Sequence, residues 1–147
     1  MFRENSYLID AQHLILPAIT LVEDCYEGMF SGCELLTTAP ELPATILAEG
    51  CYKSMFYYCA SLTTAPELPA ATLASYCYSQ MFCACSALNY IKCLATDISA
   101  TNSTGGWVSG VASSGTFVKD STMTSWTTGD HGIPTNWTVM DVGSTGL

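Results

Sequence analysis

The sequence predicts an α/β repeat stack with one short parallel strand and one helix in every 26 residues, closed by a β-rich C-terminal cap. Three observations carry this expectation. Residues 16–41, 42–67 and 68–93 repeat one another at an offset of 26 with no insertion. Within each repeat an apolar stripe is followed by a short, proline-stopped stretch rich in Leu and Thr. After residue 93 the composition turns to Gly, Ser, Thr and Trp. A fixed period between 20 and 50 residues is the mark of stacked units that bury their apolar faces only against one another.

The recurring residues name the core. Leu16/Leu42/Leu68, Leu21/Leu47/Leu73, Cys25/Cys51/Cys77, Tyr26/Tyr52/Tyr78, Met29/Met55/Met81, Phe30/Phe56/Phe82, Cys33/Cys59/Cys85 and Leu36/Leu62/Leu88 all return at the same phase. Placed at about 100° per residue, Leu47, Ala48, Cys51, Tyr52, Met55, Phe56 and Cys59 share one half-circle and Glu49, Gly50, Lys53, Ser54 and Tyr57 the other. The expectation is an amphipathic helix of about three turns over residues 47–59 and over its counterparts. Thr20 and Thr72 are placed to cap such helices, and Glu23, Asp24 and Glu49 fall where a helix dipole favours carboxylates. The extended phase is residues 36–39, 62–65 and 88–91, stopped by Pro40 and Pro66 because proline donates nothing to a ladder.

The flanks differ. Residues 1–15 read as a degenerate first coil that caps the stack, and residues 94–147 as a C-terminal cap. Within the cap, residues 115–119 and 137–142 are enriched in β-branched and aromatic types and predict strands, while residues 121–126 have room for one helical turn. Trp107, Trp126 and Trp137 are expected to close the core there. The whole chain is read as a single domain.

Half of the residues are apolar (49%) and 12% are charged, which predicts a packed core rather than disorder. The net charge of −9, with only Arg3, Lys53, Lys92 and Lys119 basic, speaks against nucleic acid and against anionic membranes as partners. No apolar run is long enough to span a bilayer, and residues 1–14 carry no secretory signal pattern. Of the eight cysteines, six hold repeat positions and are expected as reduced core thiols; Cys83 and Cys93 break the pattern and are the better candidates for a disulfide.

Catalytic and metal signatures are weak. His13 and His131 lie far apart, no Gly-x-Ser-x-Gly elbow is present, and Gly129-Asp130-His131-Gly132 reads as a loop. Cys77, Cys83, Cys85 and Cys93 lack the paired spacing of a zinc site, and no calcium-loop pattern occurs. The expectation is a non-enzyme with no cofactor and no metal. Asn102-Ser103-Thr104 and Asn136-Trp137-Thr138 match the glycosylation triplet, as a Thr-rich segment does by chance.

The Phe, two-residue gap, Cys, then Leu three residues on, followed by a short strand and Pro, together with the Met-Phe pairs, resembles bacterial BspA-like leucine-rich repeats over about residues 10–93. The repeat here is a few residues longer than the commoner family spacing. The resemblance implies a leucine-rich-repeat-like solenoid and a role in adhesion to a host protein or surface glycan. The expected location is the extracellular space, a cell surface, or a phage particle, where the part would serve as a fibre. On this reading the binding surface is the strand row, with Thr37, Thr63, Asn89, Glu41 and Glu67 outward together with Ala39, Ala65, Ile91 and Cys93. Tyr57, Tyr58 and Tyr90 would add an aromatic patch of the kind interfaces favour. A structural spacer or a self-assembling element, with homo-oligomers, is the alternative.

Overall fold

The computed structural model describes residues 1–143. The chain winds into stacked coils, and the 26-residue period reappears as the offset between ring partners within the three repeats, with Phe2 standing 28 residues before Phe30 and Trp107 29 after Tyr78. Phe2, Phe30, Phe56 and Phe82 stack at centroid spacings of 5.4, 5.4 and 5.8 Å. A second row runs Tyr26, Tyr52, Tyr78 and Trp107 at 5.9, 6.1 and 5.9 Å. Phe30, Phe56, Phe82 and Trp107 are fully buried. Burying each such ring contributes about 2–3 kcal/mol, and each stacked pair adds about 1 kcal/mol.

The expected α/β, leucine-rich-repeat-like solenoid with a helix in every repeat is not what the chain forms. Among the described residues there is no helix, and the only strands are three: β1 (Tyr90–Cys93), β2 (Thr116–Lys119) and β3 (Thr138–Asp141). The apolar stripe of each repeat is instead a row of consecutive tight turns. In the first repeat Cys25, Glu27, Met29, Ser31 and Cys33 donate their N–H groups three residues back, to Val22, Asp24, Tyr26, Gly28 and Phe30. The residues between them donate to the next coil: Asp24 to Glu49, Tyr26 to Cys51, Gly28 to Lys53, Phe30 to Met55 and Gly32 to Tyr57, at 2.7–3.0 Å. Odd and even residues thus divide the backbone bonds, and every buried amide in the row is satisfied.

The device that prevents a helix is visible in the dihedral angles. Every fourth residue is left-handed: Asp24, Gly28 and Gly32, then Gly50, Ser54 and Tyr58, then Tyr76, Gln80 and Ala84, then Asn102, Gly106 and Gly110. Each left-handed residue ends one turn and aims its N–H along the stack instead of around it. The core residues recur with the same spacing, as Cys51, Met55 and Cys59 or Tyr52 and Phe56, and all five are buried. The row continues through residues 102–110, which take N–H bonds from Tyr78, Gln80, Phe82 and Ala84, so this polar segment is a fourth coil.

The sheet has order β1-β2-β3, all parallel, with Tyr90 opposite Thr116 and Thr116 opposite Thr138. In earlier coils the same row is reduced to isolated bridges, Asp10 to Thr38 and Thr64 to Tyr90. Proline sets the difference. Coils one and two carry Ala-Pro-Glu-Leu-Pro at residues 39–43 and 65–69, whereas the third carries Ile-Lys-Cys-Leu-Ala at 91–95 and regains two donors. Coils two and three are joined there by the Leu68 N–H to Lys92 C=O and Leu94 N–H to Leu68 C=O bonds, both 3.0 Å. The expected helical turn at residues 121–126 is a loop in which Asp120 accepts from the Thr122 N–H and hydroxyl.

All eight cysteines are free, so Cys83 and Cys93 are not joined. Five of the six repeat thiols are buried; Cys25, at the open end of its row, is exposed. The buried row has a role beyond volume. The thiols of Cys33, Cys59 and Cys85 donate to the carbonyls of Phe2, Phe30 and Phe56 one coil earlier, at 3.0, 3.2 and 2.9 Å. Burial pushes Cys51 up to about 11 and Cys77, Cys85 and Cys93 up to about 12, and raises Cys59 further.

Candidate functional site: a groove where the ladder opens

The strand row of the stack is bonded at every step but one. Thr37 donates to Ile9 at 2.7 Å and Ala11 to Thr38 at 2.9 Å; two steps further on, Asn89 donates to Thr63 and Ala65 to Tyr90, both at 3.0 Å. The equivalent bonds between coils one and two would run from Thr63 N–H to Thr37 C=O and from Ala39 N–H to Thr64 C=O. Among the described residues neither forms. Two donors and two acceptors are left over, and their residues line a groove of about 680 Å³.

The groove is built from the repeat itself. Thr37, Thr38, Thr63 and Thr64 supply hydroxyls on one side, Pro40, Pro43, Pro66 and Pro69 form the stiff wall where ladder donors are missing, and Glu41 and Glu67 carry the charge. Proline fixes its own φ and stiffens this wall, and coils one and two are joined elsewhere by the turn-row bonds. Glu67 sits 3.6 Å from Lys92, an exposed pair that contributes little to stability. Glu41 has no cationic partner among the described residues. The Thr37 hydroxyl is turned to the Ile9 carbonyl at 3.0 Å, so Thr38, Thr63 and Thr64 are the hydroxyls left to a ligand. A similar opening of about 490 Å³ lies between coils two and three, lined by Thr45, Ile46, Leu47, Pro69, Ala71, Thr72, Leu73 and Ala74.

Of the residues expected at the binding surface, the structure gathers Thr37, Thr63, Glu41 and Glu67 into this groove. Asn89 is exposed and Tyr90 half-buried in the next coil, outside the lining. Tyr57 and Tyr58 are exposed on the turn row, 38% and 49%, and also lie outside it. Three of the positions expected to face outward do the opposite: Ala65, Ile91 and Cys93 are buried, because the strand alternation places residues 90 and 92 outward and 91 and 93 inward. Sequence reasoning missed Thr38 and Thr64, and treated the prolines as strand stops rather than as a wall. The doubled proline returning at the repeat period was the available signal.

The groove offers hydroxyls, free peptide groups and two carboxylates. It holds no histidine or cysteine; His13 is exposed elsewhere, and His131 is engaged as an acceptor from the Gly106 N–H at 2.7 Å. Chemically, such groups are able to accept and donate hydrogen bonds. Comparison with protein-family models, curated proteins and solved structures finds no match to the chain.

Proposed function

We propose that the chain is a non-enzymatic recognition module that binds a surface glycan in the groove between coils one and two. The observation that carries this reading is the opened ladder step: unspent backbone donors and acceptors beside three uncommitted threonine hydroxyls and Glu41. A sugar presents hydroxyls that both donate and accept, and it suits a site whose groups are mixed and mostly uncharged. The rigid proline wall supports the reading further, since a preformed groove loses little ordering entropy on binding. The resemblance of the repeat to bacterial BspA-like proteins points the same way, to adhesion at a cell surface or from a phage fibre.

The test is an array of glycans, followed by amide titration with any hit. The expected result is that the Ala39 and Thr63 amide signals move first and that Thr63→Val with Thr64→Val weakens binding at least about tenfold, the loss of one or two hydrogen bonds. If every glycan leaves those two amides unmoved at millimolar concentration, the proposal fails.

A further inference from the structure

The opened ladder step is one end of a longer gap. Residues 37–47 and 63–73 face each other, 26 apart, as the extended sides of successive coils. The seam before them is closed: Ala11, Leu21, Thr37, Thr45 and Ile46 all donate across it, to Thr38, Ile46, Ile9, Ile19 and Ile19. The seam after them is closed as well. There Ala65, Leu68, Leu73, Asn89 and Asp97 donate to Tyr90, Lys92, Asp97, Thr63 and Ala71, each at 3.0 Å. The donors at the same places in the middle seam are Ala39, Leu42, Leu47, Thr63 and Ala71, and none finds an acceptor among the described residues. The repeat boundaries after residues 41 and 67 fall inside the two lips, so the openings of about 680 and 490 Å³ belong to one furrow and share Pro69.

Proline accounts for the difference. Only this seam carries two prolines on each lip, Pro40 and Pro43 against Pro66 and Pro69; the lip before has Pro17 alone and the lip after has none. Beneath the lips the stack stays shut, with Leu42, Ala44, Leu68 and Ala70 buried. An inserted polypeptide strand would need the lips about 10 Å apart, twice the strand spacing, while Phe30 and Phe56 of the same two coils stack at 5.4 Å. The furrow therefore admits small groups from above, not a further strand.

We propose, resting on the glycan reading of the groove, that the ligand is an unbranched glycan that carries acetamido groups and no acidic ones, and that it lies along the whole furrow from Thr37 to Leu47. An acetamido group is a peptide group on a sugar, with one N–H donor and one C=O acceptor, and so meets what a missing ladder bond leaves free on either lip. A chain is called for because the free donors are spread from Ala39 to Leu47 on one lip and from Thr63 to Ala71 on the other. Acidic sugars are disfavoured by Glu41, which has no cationic partner among the described residues, and by the net charge of −9.

The probes are two β-1,4-linked series running from disaccharide to hexasaccharide, one of N-acetylglucosamine and one of glucose, added to the full chain while its backbone amide signals are followed. Every N-acetylglucosamine member should move Ala39 and Thr63, and only the longer ones Leu47 and Ala71. Affinity should rise at least about tenfold from disaccharide to hexasaccharide, and the glucose hexasaccharide should bind at least about tenfold more weakly, the loss of about one hydrogen bond. Shifts confined to Ala39 and Thr63, or equal affinity at every length, overturn the furrow and leave a sugar in the groove. Equal binding of the two series overturns the acetamido assignment with the groove again intact. If neither series moves any of these four amides at millimolar concentration, the proposal is overturned, and the glycan array decides separately whether the groove binds another sugar.

Discussion

Replacing Gly106 by Ala and Gln80 by Gly should change stability in opposite directions, and the signs distinguish a turn row from a helix. Both residues are left-handed, with φ of 60° and 54°, and occupy the same place in successive coils. A Cβ on Gly106 would meet nothing closer than Gln80 Cγ at 3.9 Å, so the substitution adds backbone strain without a clash. That strain is about 1–2 kcal/mol for an L-residue. The reduced entropy of the unfolded chain returns about 0.4–1 kcal/mol, leaving Gly106→Ala less stable by about 1 kcal/mol. Gln80→Gly reverses the account, because a strained side-chain residue becomes the one type without the penalty, and gains about 0.5–1 kcal/mol. In a helix the order inverts: Ala would be favoured over Gly by about 1 kcal/mol at either site. Urea titrations at fixed pH read both values from the shift in midpoint at constant slope. A stabilised Gly106→Ala, or a destabilised Gln80→Gly, would refute the turn-row account.

Alkaline pH should unfold the protein steeply. The unfolded thiols ionise near 9, while Cys51 stays protonated to about 11 and Cys77, Cys85 and Cys93 to about 12 in the fold. Above pH 9 the unfolded chain therefore holds fewer protons than the native one, and stability falls as pH rises by about 1.4 kcal/mol per pH unit for each thiol. Four such thiols remove about 5 kcal/mol per unit; an unfolding midpoint unchanged between pH 8 and 10.5 would contradict the buried cysteine row. Native protein titrated with a thiol reagent at neutral pH should yield Cys25 quickly and Cys83 slowly, and denatured protein without reductant all eight. Trp126 stacks on Trp107 at 5.7 Å but its buried indole N–H has no partner. Trp126→Phe keeps a ring there and removes the orphan donor, so thermal melts should show it at least as stable as the parent.

The sequence carried the period, the aromatic rows and the identity of the core, since Phe30, Phe56 and Phe82 can only recur at one phase if they meet. It concealed the local backbone. Leu47, Cys51, Met55 and Cys59 are spaced by four, which on a helix drifts by about 40° per step and still fits a half-circle over so short a run. A period of four and one of 3.6 separate only over longer segments, and Tyr58 or Ala84 give no hint of a left-handed backbone. Gly28, Gly32 and Gly50 did give one, as helix-breaking residues inside an apparent helix. The groove was half legible for a similar reason. Thr37, Thr63, Glu41 and Glu67 were read from their repetition, but a missing hydrogen bond between two coils leaves no mark in either coil alone.

The division of labour between odd and even residues also governs which changes of length the gene can carry. Removing one residue inside a turn row would swap donors to the neighbouring coil with donors to the same coil, and would rotate the rings out of the interior. Removing two would keep that parity but misplace the left-handed positions. Only deletions or insertions of four preserve both; the strand-row steps that depart from 26 residues, 28 from Asp10 to Thr38 and 22 from Thr116 to Thr138, do so in connecting segments outside a turn row. Natural variation in these rows should accordingly come in fours.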